Sequence, residues 1–214
     1  IADRRVVRAA CSDESGWRVE TVLDGPSPVT LAADPQNPDV VYVGTQGNGV
    51  YRSADRGRSW ANLGLAGRVV KSLAVSPHNP DVIYAGVKPA GVFKTSDGGR
   101  QWVELEGFRR VPNRWWWFSP AEPPFRAYVN ALSISPTEPD VVLAGIEFGA
   151  VVRSEDGGRT WSRHRRGALR DCHSLAFHHC NGQWVYEAGG TGGGAAVSRD
   201  GGLTWIQPKS GLTP

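Results

Sequence analysis

Residues 154–161 read SEDGGRTW, and three other stretches repeat the pattern: SADRGRSW at 53–60, TSDGGRQW at 95–102 and SRDGGLTW at 198–205. An acid, a glycine and a tryptophan stand at the same offsets each time. The acids Asp55, Asp97, Asp156 and Asp200 follow one another at intervals of 42, 59 and 44 residues. An aspartate in a tight turn accepts hydrogen bonds from the backbone N–H groups that follow it. Glycine permits the positive φ that a reversing chain needs. Trp60, Trp102, Trp161 and Trp205 each supply a large apolar wedge with a polar handle. The stretch therefore reads as a structural clip that closes a β-hairpin. An EF-hand calcium site needs a longer loop, more oxygens and a terminal glutamate.

Working outward, each clip ends a longer repeat. LAADPQNPDVVYVGTQGNGVYRSADRGRSW, LAVSPHNPDVIYAGVKPAGVFKTSDGGRQW, LSISPTEPDVVLAGIEFGAVVRSEDGGRTW and LAFHHCNGQWVYEAGGTGGGAAVSRDGGLTW align without effort. Alternating and β-branched runs broken by Pro, Gly and Asp turns predict four short strands, A to D, per unit. Helical periodicity is absent. Four-stranded units at a period of about 42 residues predict an all-β protein, a β-propeller. RVVRAACSDESGWRVETVL, near the N-terminus, reads as strands C and D around a worn clip with Ser12, Gly16 and Trp17. The expected domain is one propeller over 1–214: a half blade at 1–25, blades at about 26–66, 67–108, 127–168 and 169–209, and an inserted loop at 109–126. Four blades and a half predict an incomplete ring, completed by a second copy or by further blades.

The motif S/T-x-D-x-G-x-x-W closely resembles the Asp-box, or BNR repeat, of sialidase-like propellers. The matching positions are Ser53, Asp55, Gly57 and Trp60, then Thr95, Asp97, Gly99 and Trp102, then Ser154, Asp156, Gly158 and Trp161, then Ser198, Asp200, Gly202 and Trp205. SPHNPDVIYAG is similar to the repeat of xyloglucan-cleaving glycosidases, sortilin-type receptors and photosystem II assembly factors. The resemblance, over residues 28 to 207, implies the fold and leaves open enzyme or binder. It also implies that A–B and C–D turns share one face of the disc. D–A and B–C loops then make the opposite, ligand-binding face.

Composition narrows the classes. The chain has 214 residues, 40% hydrophobic and 21% charged, as in a soluble globular protein. No apolar run approaches the ~18 residues of a membrane helix. The net charge of +3 is too mild to argue for nucleic acid. The chain opens IADRRVVRAA without methionine or a secretory segment, which reads as a fragment or processed form and leaves the compartment open. Cys11, Cys172 and Cys180 are too few for a disulfide framework. The last two, on one extended stretch, would lie ~26 Å apart.

Function is to be sought in what does not repeat. The insertion RRVPNRWWWFSPAEPPFR brings Trp115, Trp116, Trp117, Phe118 and Phe125 together with Arg109, Arg110, Arg114 and Arg126. Aromatic faces stack on sugars, and arginine forks pair with carboxylates. SRHRRGALRDCH adds Arg163, His164, Arg165, Arg166 and Arg170. Alignment puts Val29, Lys71, Asn130 and His173 at one position, the start of strand A, with Arg68, Tyr128 and Asp171 just before it. Gln46, Lys88, Glu147 and Gly190 hold the matching B–C loop position. The expected ligand-binding set is Lys71, Trp115, Trp116, Trp117, Arg126, Tyr128, Asn130, Arg165, Arg170 and His173, with an anionic peptide or saccharide as ligand.

CHSLAFHHC does not read as a metal centre, because His173 and His178 stand at opposite ends of a strand, ~17 Å apart. His178, His179 and Cys180 alone offer incidental metal binding. No metal and no cofactor are expected. The main expectation is a non-catalytic recognition propeller. The alternative is a glycoside hydrolase, for which two carboxyls ~5–10 Å apart are needed. Glu147 and Asp171 are the candidates, with Glu122 a further acid on that face. Tyr128 with Arg68, Arg126 and Arg170 is a thin echo of a sialidase site.

Overall fold

The computed structural model describes residues 5–12, 16–120, 123–190 and 194–208. Strands β1 (Val6–Ser12) and β2 (Gly16–Leu23) form a hairpin. The first sheet holds β3 (Pro28–Ala33), β4 (Val41–Thr45), β5 (Val50–Ser53) and β6 (Ala61–Asn62). The second holds β7 (Val69–Val75), β8 (Ile83–Lys88), β9 (Gly91–Thr95) and β10 (Val103–Glu104). The third has β11 (Val129–Ile134), β12 (Val142–Ile146) and β13 (Val151–Ser154), and the fourth β14 (Cys172–His178), β15 (Asn181–Gly189) and β16 (Gly194–Ser198). Each is an antiparallel meander in chain order. The A strands β3, β7, β11 and β14 adjoin one another in succession, so the sheets are stacked as blades about a common centre.

Packing follows the alternation of each strand. Tyr42 and Val50 of the first sheet meet Val70, Leu73, Ile83 and Val87 of the second in one apolar cluster. Tyr84 and Val92 turn the other way, onto Val129, Leu132 and Val142 of the third. Leu143 and Val151 in turn cover Leu175, Val185 and Ala196 of the fourth. The core is therefore three seams between four sheets. Strand β8 is buried on both faces, which is why it reads as a continuous apolar run. At Gly44 an added Cβ would lie 2.6 Å from Val70 Cγ1, and at Gly86 2.7 Å from Val129 Cγ1, so these seams close only on glycine.

Two expectations need correction. The third and fourth sheets have three strands among the described residues, not four. Where strand D should lie in the third, Ser162 Oγ accepts the Arg153 N–H at 2.9 Å, so a side chain takes the place of a ladder carbonyl. In the fourth, strand D shrinks to the bridge Val197↔Ile206. The chain also makes a short helix α1 (Glu106–Arg109) and a 3-10 turn at Arg114–Trp116, both at the insertion. Phe108, fully buried, is the apolar anchor of α1 and meets Trp161 edge-on at 5.4 Å.

The clips share one wiring. Ser53, Thr95, Ser154 and Ser198 donate their hydroxyls to Asp55, Asp97, Asp156 and Asp200 at 2.7, 2.7, 2.9 and 2.7 Å. The same hydroxyl oxygens accept the N–H groups of Gly57, Gly99, Gly158 and Gly202. The aspartates accept N–H groups from Ser59, Gln101, Thr160 and Thr204. Trp60, Trp161 and Trp205 donate to the clip glycine's own carbonyl, whereas Trp102 donates to Leu63 of the previous sheet at 2.8 Å. Each clip is also tied to its A–B turn or the start of strand B, through Arg56 N–H to Asp39 O, Gly98 to Asp81, Gly157 to Asp140 and Gly201 to Gln183. Clips and A–B turns thus lie on one side.

Candidate functional site

Every A strand breaks register near its start, and β14 does so a second time between Phe177 and His178. The ladder skips from Pro28 to Thr30, from Val70 to Ser72, from Val129 to Ala131 and from Cys172 to Ser174. The residues left out of pairing are Val29, Lys71, Asn130 and His173, the position that alignment singles out. A bulge leaves its extra residue without a ladder partner and re-aims the side chain, so the four are free of the sheet's alternation.

Around them lie the buried polar groups of the molecule's other side. The Lys71 ammonium stands 4.7 Å over the Tyr128 ring, and Lys88 stands 5.8 Å from it. His173 Nε2 lies 3.2 Å from Glu147 Oε2 and 3.3 Å from Asp171 Oδ1. Asn130 donates to Glu147 Oε2 at 3.3 Å and to the Cys172 carbonyl at 3.4 Å. Glu147 and Asp171 are buried, while the His173 side chain is 47% exposed. Burial raises the Glu147 carboxyl above its ordinary range; Asp171 adds to this, and His173, the Tyr128 hydrogen bond and Lys71 oppose it. The two acids belong to neighbouring sheets and converge, with ligand atoms within 4.8 Å of each other and of His173. An imidazole bridges the acids. Glu122 lies outside the described residues.

The insertion lies beside this cluster, against the B–C loops of the second and third sheets. One cleft of about 460 Å³ runs between it and Pro89 and Ala90, with Arg109, Arg114, Trp115, Trp117 and Arg126 on its walls. A second, of about 540 Å³, runs between it and Phe148 and Gly149, with Trp116, His164 and Arg170. The three tryptophans divide. Trp115 and Trp116 stack at 4.3 Å and are exposed by 74% and 66%, whereas Trp117 packs on Phe108 at 5.8 Å. The arginines divide too. Arg109 is held by Glu104 through bonds of 2.9 and 2.8 Å. Arg114 donates to the Ala90 carbonyl and lies over the Phe108 and Trp117 rings. Arg126 is exposed at the rim. Arg170 reaches the Gly149 carbonyl at 3.4 Å. His164 Nδ1 accepts the Val151 N–H, and burial, with Arg170 next, pushes its pKa down to about 4.

Arg165 departs from expectation. Its guanidinium donates to the Leu203 carbonyl at 3.0 and 2.8 Å, beside the clip of the fourth sheet. The chain from Ser162 to Arg165 still runs along β13, with Arg165 N–H on Val151 O, so the loop to the other side starts only after it. Arg114 and Phe148 line the clefts and Lys88 stands at the Tyr128 ring, and sequence reading left all three out of the site. The signal for Lys88 was its alignment with Glu147, one ring out from the bulges.

No protein-family model matches the chain, and neither does any curated protein. Solved structures do. An ancestral GH74 enzyme superposes with TM-score 0.64 at 22% identity, over 88% of this chain and 25% of its own. The GH74 enzyme of Niastella koreensis gives 0.61 at 14%, over 88% and 33%. A chain of the COPII outer coat vertex on membranes gives 0.58 at 10%, over 88% and 52%. This chain thus spans about a quarter to a half of the length of these neighbours. It has the β-propeller fold, and enzymes and a coat chain share that fold with it. No helix among the described residues is long and apolar enough to cross a membrane.

Proposed function

We propose that the protein is a recognition propeller, an Asp-box protein without catalytic chemistry of its own, that binds an acidic saccharide or peptide between the insertion and the bulge ring. The supporting observation is the cleft with Trp115 exposed on one wall and Arg126 exposed at its rim. Aromatic stacking and a guanidinium fork form a pair suited to a ring or chain bearing carboxylates. Lys71 and Lys88 add positive charge nearby. A glycosidase reading has one observation in its favour, the convergence of Glu147 and Asp171. Against it, both acids are buried, and the His173 imidazole stands within 3.2 and 3.3 Å of them as a neighbour shared by both.

The test is calorimetric titration with an oligogalacturonide and with a polyglutamate peptide. Binding of one of them, weakening as salt rises, is the expected result. Arg126→Ala and Trp115→Ala are each expected to reduce affinity about tenfold. No binding of either probe, or binding indifferent to both substitutions, sinks the proposal. Cleavage of xyloglucan that vanishes in Glu147→Gln would replace it with the enzyme.

A further inference from the structure

The A–B turns stitch neighbouring sheets together through their third residue. In DPQ, SPH and SPT these are Gln36, His78 and Thr137. Gln36 Nε2 donates to the Pro77 carbonyl of the next turn at 2.9 Å. His78 Nε2 lies 2.8 Å from the Ser135 carbonyl. Thr137 abuts Gly182, where an added Cβ would collide with its Oγ1. The first residue of each turn caps it: Asp34 accepts the Gln36 N–H at 2.8 Å, Ser76 the His78 N–H, and Ser135 the Thr137 N–H.

In the fourth sheet the same three places read His178, His179 and Cys180. The turn is a two-residue reversal, His178 pairing with Asn181. His178 Nδ1 takes the cap, accepting the Cys180 N–H at a long 3.4 Å. Its Nδ1 also lies 3.6 Å from Cys180 Sγ, and the two imidazole rings are 4.6 Å apart. One donor atom from each residue falls within 4.8 Å of the others. In a tetrahedral zinc site with Zn–S ~2.3 Å and Zn–N ~2.0–2.1 Å, the N···S edge is about 3.5 Å. The turn already sets that spacing, and to take a cation His178 Nδ1 gives up its long bond from the Cys180 N–H. His179 and Cys180 are exposed and His178 half-buried, so a cation reaches them without opening the fold. Charge does not oppose it: the three bring no fixed positive charge when the imidazoles are neutral.

We propose that His178, His179 and Cys180 form a three-ligand site for a borderline-to-soft cation of the Zn2+ class, on the side of the disc away from the binding clefts. One thiolate with two imidazoles suits zinc better than calcium or magnesium, which take oxygen. On coordination the Cys180 thiol gives up its proton to solvent while both imidazoles bind neutral, so one proton leaves per cation. Three ligands leave the fourth position to water or to a donor from whatever packs against this turn. The site stands apart from the recognition reading and neither depends on the other.

The experiment is titration of the full chain with cobalt(II), followed by zinc competition. A thiolate-to-cobalt charge-transfer band that saturates at one equivalent and is bleached by zinc is expected. Cys180→Ser should abolish the band. His179→Ala should weaken binding about tenfold or more. His173→Ala, at the far end of the same strand, should leave it unchanged. A band that survives Cys180→Ser overturns the proposal, as does the lack of a band. Saturation only above about 1 mM would mean an adventitious ion only. Circular dichroism of each variant confirms that the fold persists.

Discussion

Tyr84 and Tyr186 hold the same place in two sheets, opposite Ala74 and Ala176. Tyr84 is 1% exposed, and its hydroxyl donates to the Gly157 carbonyl of the next sheet. Tyr186 is 41% exposed and has Trp184 as a ring neighbour at 6.4 Å. The near edge of the arc shows the same contrast. Leu31 is half exposed, whereas Leu73, Leu132 and Leu175, at its position, are buried. The repeat therefore writes two coats of apolar residues onto each sheet, and only a neighbouring sheet makes them core. The last face is not a plain copy: Gly44, Gly86 and Gly145 give way to Ala188, in the same ladder position. A further sheet seated there must stand off by a methyl.

The largest expected contrast is between the tyrosines. Tyr84→Ala should cost about 3–5 kcal/mol and Tyr186→Ala about 1 kcal/mol or less, read by urea unfolding of the isolated chain. Equal losses would mean that Tyr186 is covered in solution, and light scattering would then show an associated species. Next, Gly86→Ala should cost about 1–3 kcal/mol by overpacking the seam. Ala188→Gly should cost under about 1 kcal/mol, the backbone penalty of glycine alone. A harmless Gly86→Ala would break the argument that the seams close only on glycine.

Asp156→Ala should cost about 1.5 kcal/mol and leave ligand titrations unchanged, because the clips face away from the clefts. Burial tends to raise the Asp156 carboxyl, but the hydrogen bonds from Thr160 and Ser154 outweigh it and hold the group below its ordinary range. A depressed carboxyl contributes stability above the unfolded value near 4 and loses it as pH falls through the folded value. Asp156→Asn should therefore flatten the acid limb of the stability curve. A contrast visible in pH alone concerns Glu187, which takes the place of Val43, Ala85 and Ala144 in the ladder. Burial pushes its pKa up to about 7; Leu169 N–H, at 2.9 Å, opposes this. Here the sign reverses. The folded state holds the proton longer, so stability falls as pH rises from about 4 to about 7. Glu187→Gln should remove that slope in unfolding curves, and an unchanged slope would place its origin elsewhere.

The fold was legible because the clip and the strand runs repeat, and repetition makes a weak local pattern strong. The missing D strand of the third sheet was not: Ser162 Oγ and His164 Nδ1 take the Arg153 and Val151 N–H groups of β13, and only these side chains show why no ladder forms. Asn130 and His173 were legible as an aligned polar pair, yet the bulge that frees them depends on register between strands. Glu147 and Asp171 were legible as a candidate pair on neighbouring blades, but that His173 stands against both depends on the bulge in β14, which spacing along the chain does not encode. Trp117 parts from Trp115 and Trp116 because Phe108 offers it an apolar wall, and nothing in WWW marks which ring that will be.

The four bulges have a consequence for how such a surface changes over time. A residue excluded from the ladder can be exchanged for valine, lysine, asparagine or histidine, and the chain already holds all four there. The scaffold is thus indifferent to its own most central letters. Recognition can drift one position at a time, as on a combination lock whose dials turn without loosening the case.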